Sequence, residues 1–410
     1  MSEVAGRAGY RVVFAVAEFR ALWAAQLLSV VGDQLAKVAL TVLVYQRTNS
    51  SLLAALTFAA SFVPSFAGGI LLSGLADRLP RRAVMITSDL ARMALAAVMV
   101  VRGVPLAVLV ALLFGITMIG APFKSARAAI YPEILAGDHY VTGTAVTLTT
   151  LQLGQVIGFA AGGAMTALFG ARACLLIDAV TFGISAILVR VGVAVRPPAA
   201  ASAVTKGRAV DGLVAGLKLV LGNPALRAPM LLGWLAAFCD APEGIAAPFG
   251  RALGGGAAAT GLLLAFPAAG YTVGALIFSR LLNADRRDRL MRPLSVASCA
   301  ILILIALRPN LPITLLILAA SGACGCFQVA ANAAFVTAAP PEQRSQAFGL
   351  AAAGMSLGQA AAMALAGAAA LHLAPALVIG AAGALGTVAA IGLAFPLAAD
   401  RSPSRAPDHV

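Results

Sequence analysis

Four charged side chains lie inside long apolar runs, where they could bind or release a proton. Asp33 and Lys37 are four residues apart, and Asp240 and Glu243 are three apart, so each pair shares one face of a helix. A charge at bilayer depth is costly unless it is paired or hydrated, which makes such residues candidates for coupling or substrate contact. The predicted chemistry is proton exchange and attraction of cations.

The first pair has two interpretations. Asp33 lies thirteen residues after Arg20, which is about 20 Å along a helix at 1.5 Å per residue and therefore near mid-membrane. Lys37 either neutralises Asp33 and serves packing alone, or assists a cavity-facing Asp33 in binding and releasing a proton.

The second pair also has two interpretations. Asp240 follows Asp33 by 207 positions, in a segment that contains Pro242 and Pro248. Prolines should break or kink this helix. Asp240 and Glu243 then either lie at a kink beside a central cavity or lie hydrated near an outer mouth.

Enzyme chemistry has little support in the sequence. All five cysteines lie inside apolar runs and are expected to be packing residues. Neither they nor the three histidines are spaced like metal ligands. The chain shows neither a phosphate-binding loop nor a dinucleotide fingerprint. The sequence predicts no enzyme, no cofactor and no bound metal.

The composition requires lipid around the elements that carry these residues. The chain has 410 residues, of which 61% are apolar and 11% charged, against about 45–50% and about 25% in soluble domains. Its net charge of +13 is scattered in short clusters between apolar segments, which does not form the basic face of a nucleic-acid-binding protein. We expect a polytopic protein embedded in a lipid bilayer.

The apolar segments are long enough to cross a membrane as helices, and they lack the alternation of barrel strands. The predicted fold class is all-α integral membrane, with about twelve transmembrane helices. The segments run approximately over 21–46, 51–75, 83–101, 104–123, 143–169, 173–195, 228–250, 257–281, 290–307, 311–336, 345–370 and 373–397.

Lysine and arginine placement predicts the orientation. Basic clusters precede the first segment and follow the second, sixth, eighth and last, whereas the opposite loops mostly carry one arginine each. Positive loops stay in the cytoplasm. We expect a multi-pass protein of the bacterial inner membrane with both termini cytoplasmic.

The segments divide into two halves. We predict a six-helix bundle over 1–195, a cytoplasmic linker over 196–227, a second six-helix bundle over 228–400 and a cytoplasmic tail over 401–410. Part of the linker, 206–221, is expected to form a short helix on the cytoplasmic face.

The two halves show signs of duplication, since two short sequence matches recur at offsets of 208 and 204 residues. Similar halves packed around a central site are a common way to build alternating access. The matches are Asp77-Arg78 with Asp285-Arg286, and Leu153-Gly154-Gln155 with Leu357-Gly358-Gln359.

The loop after the second segment carries a recognisable motif. Residues 73–82 read SGLADRLPRR, which resembles the signature loop between helices 2 and 3 of the major facilitator superfamily. Ser73 replaces a glycine, Pro80 replaces another, and the matching residues are Leu75, Asp77, Arg78, Arg81 and Arg82. The resemblance implies a gate latch made by Asp77, Arg78, Arg81 and Arg82. The alternative is that these residues only anchor the loop in the cytoplasm, but an anchor needs no acid.

The fifth segment resembles the glycine motif of the superfamily's exporters, with Phe159 in place of the proline. Glycines four apart form a groove into which another helix can press, and the predicted packing glycines are Gly154, Gly158, Gly162 and Gly163. Further stretches resemble the drug, macrolide and siderophore exporter branch.

Other charged residues are expected to play supporting roles. Asp89 and Arg92 are three apart and can pair, which would support the latch. Asp178 is expected to pair with nearby Arg172, and Lys124 to reach the membrane interface.

The resemblance implies a monomeric secondary transporter that exports an amphipathic small molecule, such as a drug, antibiotic or siderophore, in exchange for protons. One alternative is a proton-linked importer of a metabolite, because direction cannot be read from helices alone. A second alternative is a non-transporting membrane scaffold or sensor, which would lack a central polar cavity.

Overall fold

A computed structural model describes residues 11–64, 67–68, 79–196, 209–340 and 343–394 of the chain. Its principal α-helices are α1 (Ala17–Thr48), α2 (Ser51–Ala59), α3 (Arg81–Val100), α4 (Leu106–Ile134), α5 (Asp138–Phe169), α6 (Ala171–Gly192), α7 (Ala209–Gly222), α8 (Pro224–Trp234), α9 (Ala236–Gly244), α10 (Ala246–Ala252), α11 (Gly256–Leu281), α12 (Ala284–Ile303), α13 (Leu311–Cys324), α14 (Phe327–Ala338), α15 (Arg344–Ala369) and α16 (Pro375–Ala394).

Polar residues in the short loops set the starts of several helices. Ser50, Asn223 and Asn310 each accept a hydrogen bond from a backbone N–H in the first turn of α2, α8 and α13. These caps satisfy donors that a helix start would otherwise leave unpaired. Asn49 ends α1 in the left-handed conformation, with φ of 49°, so the chain can reverse direction between α1 and α2 within two residues.

The helices are those of a polytopic membrane protein. Within the described ranges, ten helices are long and apolar enough to span a bilayer, or eleven when a bent pair is counted as one span. The predicted second segment, 51–75, overlaps the residues outside the described ranges. No strand occurs in the described ranges, and the all-α membrane fold predicted from the sequence is confirmed.

The span that carries the acidic pair is broken. Helices α8 and α9 run from Pro224 to Gly244, and α10 continues at an angle of 48° after Ile245. Pro242 lies inside α9 and cannot donate a backbone hydrogen bond to the preceding turn. The kink predicted from the prolines is confirmed.

The linker contains a helix that packs on the second half. In α7, a side chain at Gly216 would lie 2.6 Å from the carbonyl oxygen of Gln346, so the two helices touch through their backbones. Val220 of the same helix is fully buried. This helix, α7, overlaps the short linker helix predicted over 206–221.

The two ends of the bundle differ. We number the loops in the order in which they join successive spans. The odd-loop end carries Asn49, Gly170 and the turn 253–255, and the even-loop end carries the turns 135–137 and 282–283. At the odd-loop end the halves touch through α5 with α11 and through α2 with α15. Among the described residues, both hydrogen bonds between the halves lie at this end, from Ser51 to Gly367 and from Arg251 to Asn49.

Candidate functional site

A cavity of about 270 Å³ lies between the two halves. Helix α5 contributes to its wall from the first half, and α9, α11, α13, α14 and α15 contribute from the second. Its polar lining is made of two carboxylates, several amides, a phenol, a hydroxyl and a thiol. The residues are Gln152, Gln155, Asp240, Glu243, Tyr271, Ser321, Gln328, Gln359 and Cys239.

Both acids of α9 face this cavity. Asp240 and Glu243 are half-buried, and their spacing of three places them on one side of the helix. The Gln359 Nε2 donates a hydrogen bond of 2.6 Å to the Asp240 Oδ2. The structure therefore favours the cavity interpretation over a position at a hydrated outer mouth.

A second cavity of about 410 Å³ continues from the first toward the even-loop end. Tyr271, Gln328 and Met355 line both cavities. The second is mainly apolar and aromatic, with Trp234, Phe335 and Phe348 in its wall. The indole N–H of Trp234 donates to the carbonyl oxygen of Ala351 at 3.0 Å, which fixes the ring against α15.

The charge of the joined cavities is one-sided. Their described linings include two carboxylates and no lysine, arginine or histidine. We call Trp234, Phe335 and Phe348 the aromatic arm. A concave site that combines two carboxylates with the aromatic arm matches a molecule that has a positive group and an apolar body. The acids were predictable because they lie inside apolar runs, whereas the aromatic residues carry no comparable signal in the sequence.

A separate small cavity lies inside the first half. Its volume is about 60 Å³, and it is lined by both residues of the first predicted pair. Asp33 and Lys37 are half-buried, and no direct ion pair joins them among the described side chains. The two charges therefore interact across the cavity rather than through a direct ion pair, and both interpretations of the pair stay predictions. The other charged lining residues are Arg92, Lys124 and Asp178.

Asp89 and Arg92 of α3 form a buried ion pair beside this cavity, as their spacing allows. Asp89 is 0% exposed and Arg92 is 4% exposed. The Ser185 hydroxyl donates to the Asp89 Oδ2 at 2.6 Å. The Arg92 guanidinium lies 4.3 Å from the ring centroid of Phe182 and 5.1 Å from that of Phe123, so both its charge and its flat surface are used.

The expected pairing of Asp178 with Arg172 does not occur among the described contacts. Asp178 is 2% exposed, lines the small cavity and has no hydrogen-bond partner at Oδ1. Arg172 lies six residues away on the same helix and therefore on a different face. Lys124 is solvent-accessible, and it also lines the same cavity. The expectation that its side chain reaches the membrane interface therefore covers only part of its surroundings.

The predicted latch is only partly visible. Asp77 and Arg78 lie outside the described residues. The described contacts of Arg81 are to the Ala129 carbonyl oxygen at 3.0 Å and to Glu133, and those of Arg82 are to a carbonyl oxygen of α6. In this conformation both arginines hold α3 within the first half, and a latch across the halves stays a prediction.

An ionic network that was not predicted from the sequence lies at the even-loop end. Arg196 donates two hydrogen bonds, of 2.7 and 3.1 Å, to the carboxylate of Glu18, and its Nε lies 3.3 Å from a Glu133 oxygen. The hydrogen bonds to Glu18 raise the pKa of the Arg196 guanidinium. Glu133 also contacts Arg81. The start of the linker is thereby tied to α1, α3 and α4.

The predicted glycines of α5 face two different neighbours. Gly154, Gly158 and Gly162 lie against α1, where added side chains would meet residues 30–38 at about 3 Å. Gly163 faces Gly261 of α11, and a side chain on it would lie 2.6 Å from the Gly261 Cα. The first three glycines pack the first half, and Gly163 brings the two halves together.

Comparisons with known proteins agree with this fold. The major facilitator family model described as "Transmembrane secretion effector" matches residues 12–409. No curated protein matches the sequence.

Solved transporters have a similar structure at low sequence identity. A POT family transporter in complex with a thioalcohol-conjugated peptide has a TM-score of 0.72 at 12% identity, covering 93% of this chain and 96% of its own. A nucleoside transporter has a TM-score of 0.68 at 15%, covering 92% and 99%. A bacterial homologue of the human lysosomal transporter Spinster, inward-facing and unoccupied, has a TM-score of 0.65 at 14%, covering 93% and 94%.

Proposed function

The chain belongs to the transmembrane secretion effector family of the major facilitator superfamily, and from this premise we propose that it exports an amphipathic organic cation in exchange for protons. Its family and fold are those of membrane transporters. The substrate class, the direction, the coupling to protons and a monomeric state are the proposed parts.

The lining of the joined cavities carries the proposal. Asp240 and Glu243 supply negative charge next to the aromatic arm of Trp234, Phe335 and Phe348, and no basic side chain belongs to the described lining. In a site with little water, a carboxylate attracts a cation more strongly than it does in bulk water. Acids that could exchange a proton lie inside both halves, Asp33 and Asp178 in the first and Asp240 and Glu243 in the second.

Two observations favour export in exchange for protons. The family description names secretion, and the α5 glycines resemble the glycine motif of the superfamily's exporters. With the basic even loops in the cytoplasm, the second cavity extends toward the cytoplasmic side while the halves meet at the opposite end. This arrangement admits a substrate from the cytoplasm.

The proposal is tested in proteoliposomes with ethidium, a planar aromatic cation, as the probe. We expect ethidium to be transported in exchange for protons when a pH gradient is imposed, and transport to stop when nigericin collapses the gradient. Transport that continues unchanged after the collapse would remove proton coupling from the proposal.

Variants of the acidic pair test the site. Asp240→Asn and Glu243→Gln should each weaken ethidium binding about tenfold, equivalent to about 1.4 kcal/mol, because a neutral amide keeps the shape but not the charge. Asp288→Asn removes an exposed acid of α12 and should bind ethidium as the unmodified protein does. If all three variants bind ethidium as tightly as the unmodified protein does, the acids do not recognise the cation.

The same vesicles separate the alternatives. An importer would move its substrate in the direction of the protons rather than against them. A scaffold or sensor would move no probe and would not respond to the gradient. A deletion strain tested against a panel of cationic and anionic antimicrobials would reveal the substrate class, and hypersensitivity to anionic compounds alone would contradict the proposal.

A further inference from the structure

The first half contains a second group of ionisable side chains, separate from the cavity between the halves. Asp33, Lys37, Arg92, Lys124 and Asp178 line the small cavity of about 60 Å³. A polar space of this size has room for about two water molecules. The charged groups inside the first half are therefore arranged around a site that can be hydrated.

Asp178 is the acid of this group whose side chain is almost fully buried and has, within the described ranges, an unpartnered oxygen. Its side chain is 2% exposed, and its Oδ1 has no hydrogen bond among the described residues. An ionised carboxylate in such a position is costly, because burial removes water without replacing its hydrogen bonds. Taking up a proton or binding a water molecule in the cavity lowers that cost.

The backbone of α1 is adapted to bring this acid close. Gly32 lies against Asp178, and a side chain on Gly32 would lie 2.7 Å from the Asp178 Oδ1 and 2.4 Å from the Thr181 Oγ1. A larger residue at this position would therefore require the Asp178 and Thr181 side chains to move. Asp33, the next residue of α1, lines the same cavity as Asp178.

The charges facing Asp178 balance only when both acids are ionised. Asp33 and Lys37 face it from α1, Lys124 from α4, and Arg92 with its partner Asp89 from α3. Since Asp89 neutralises Arg92, two carboxylates remain to balance two lysines. One bound proton changes the group from neutral to one net positive charge.

We infer that the cavity of the first half is a proton-binding site in which Asp178, facing Asp33, carries the proton. A proton adds to the Asp178 carboxylate to give the neutral acid, and it leaves to water in the cavity. The claim that this site couples protons to transport rests on the proposed function, but proton binding at the site can be measured without any substrate. The acids of α9 are then free to bind the cation, and the two tasks fall to different halves.

Infrared difference spectroscopy of the purified full chain in lipid tests the inference directly. We expect the carboxylic acid C=O band that appears on acidification to lose one component in Asp178→Asn. Asp288→Asn is the matched control and should leave the band unchanged. A band that is identical in the wild type and in Asp178→Asn would overturn the inference.

If Asp178→Asn is not recovered folded, Asp33→Asn takes its place. Removing the facing charge should move the pH at which the Asp178 component appears. A purely structural Asp178, ionised throughout, would give no component that moves, and that result would also overturn the inference.

Transport measurements separate this inference from the proposed function. In Asp178→Asn, gradient-driven ethidium accumulation should fall roughly 5- to 150-fold, the usual range of a coupling free energy, while ethidium exchange without a gradient continues at the wild-type rate. Loss of both activities to the same extent in a folded variant would contradict a proton-carrying role. Failure of the wild type to move ethidium would count against the proposed function alone, because the infrared result does not depend on it.

Discussion

Replacing Gly163 by alanine should shift the protein away from the conformation described above. A Cβ at this position would lie 2.6 Å from the Gly261 Cα and 2.8 Å from the Ala257 carbonyl oxygen, whereas ordinary contacts begin at 3.4 Å. The neighbours are backbone atoms, which cannot rotate away. Helices α5 and α11 must therefore separate by roughly 1 Å, and a gap of that size forfeits a quarter to a half of the local dispersion energy.

The size of the shift follows from this geometry. Overpacking of this kind costs about 1–3 kcal/mol, and the whole cost falls on the conformation in which the halves meet at the odd-loop end. A conformation that is open at that end does not bear it. The equilibrium should move toward that open conformation by roughly 5- to 150-fold.

Spin labels across the odd-loop end measure this shift. Arg102→Cys and His372→Cys place labels on exposed loops of the two halves, in a background whose native cysteines are replaced by alanine. Double electron–electron resonance should show a longer distance gaining population in Gly163→Ala.

Two matched variants serve as controls for the glycine replacement. Gly349→Ala has no neighbour within 4 Å of the new side chain and should leave the distance distribution unchanged. Gly162→Ala meets α1 within the first half, so it should lower stability without lengthening the distance. An unchanged distribution in a folded Gly163→Ala would refute the idea that this contact holds the end closed.

Three further outcomes are expected. Diamide should link Cys239 to Cys299, because their Sγ atoms lie 3.5 Å apart. Mass spectrometry of the peptides should show the disulfide, and linkage to other cysteines instead would contradict this geometry. Arg92→Met should leave Asp89 buried without its cation and lower the free energy of unfolding by about 3–5 kcal/mol. The thermal unfolding midpoint in detergent should drop strongly, and an unchanged midpoint would show that the pair contributes little. Ser51→Ala removes one hydrogen bond between the halves, worth about 0.6 kcal/mol, and should shift the spin-label distances in the direction of the glycine variant but by less.

The fold could be predicted from the sequence because lipid makes simple demands. A helix that crosses the bilayer needs about 20 apolar residues, and the breaks between such runs are marked by charges and prolines. The break in the span that carries Asp240 was predictable from Pro242, which cannot donate to the helix ladder. The break at Gly325, between α13 and α14, has no comparable signal, since the run 311–336 reads as one apolar helix.

The site was predictable only where burial alone identified the residue. Asp240 and Glu243 stand out because acids are rare at membrane depth. The aromatic arm does not stand out, because Trp234, Phe335 and Phe348 come from three helices and meet only through helix packing. Contacts of that kind depend on crossing angles and helix rotation, neither of which a single sequence specifies.

Asp178 shows how chain distance misleads inside a helical bundle. Its nearest basic residue in sequence, Arg172, is on another face of the helix, whereas the cations that share its cavity, Lys37 and Lys124, come from α1 and α4. A buried charge is balanced by groups that are close in space. Asp89 has such a group three residues away on its own helix, whereas the cations that share the cavity of Asp178 come from other helices.

The two halves place similar acids in opposite electrostatic surroundings. Asp33 and Asp240 lie 207 residues apart, close to the offsets of the repeated motifs. Asp33 shares its cavity with Lys37, Lys124 and Arg92, whereas the described lining around Asp240 contains no cation. On the proposed division of roles, an acid that lines a cavity with lysines has less attraction left for an organic cation than an acid whose cavity lining has none. If duplication gave both halves the same carboxylate, the lysines of the first half are what separate proton binding from substrate binding. Lys37→Met should then let the first-half cavity, which has room for about two water molecules, attract a small cation such as sodium. Protection of Asp33 from carbodiimide by sodium in that variant alone would show it, whereas equal protection in the wild type would refute this division of roles.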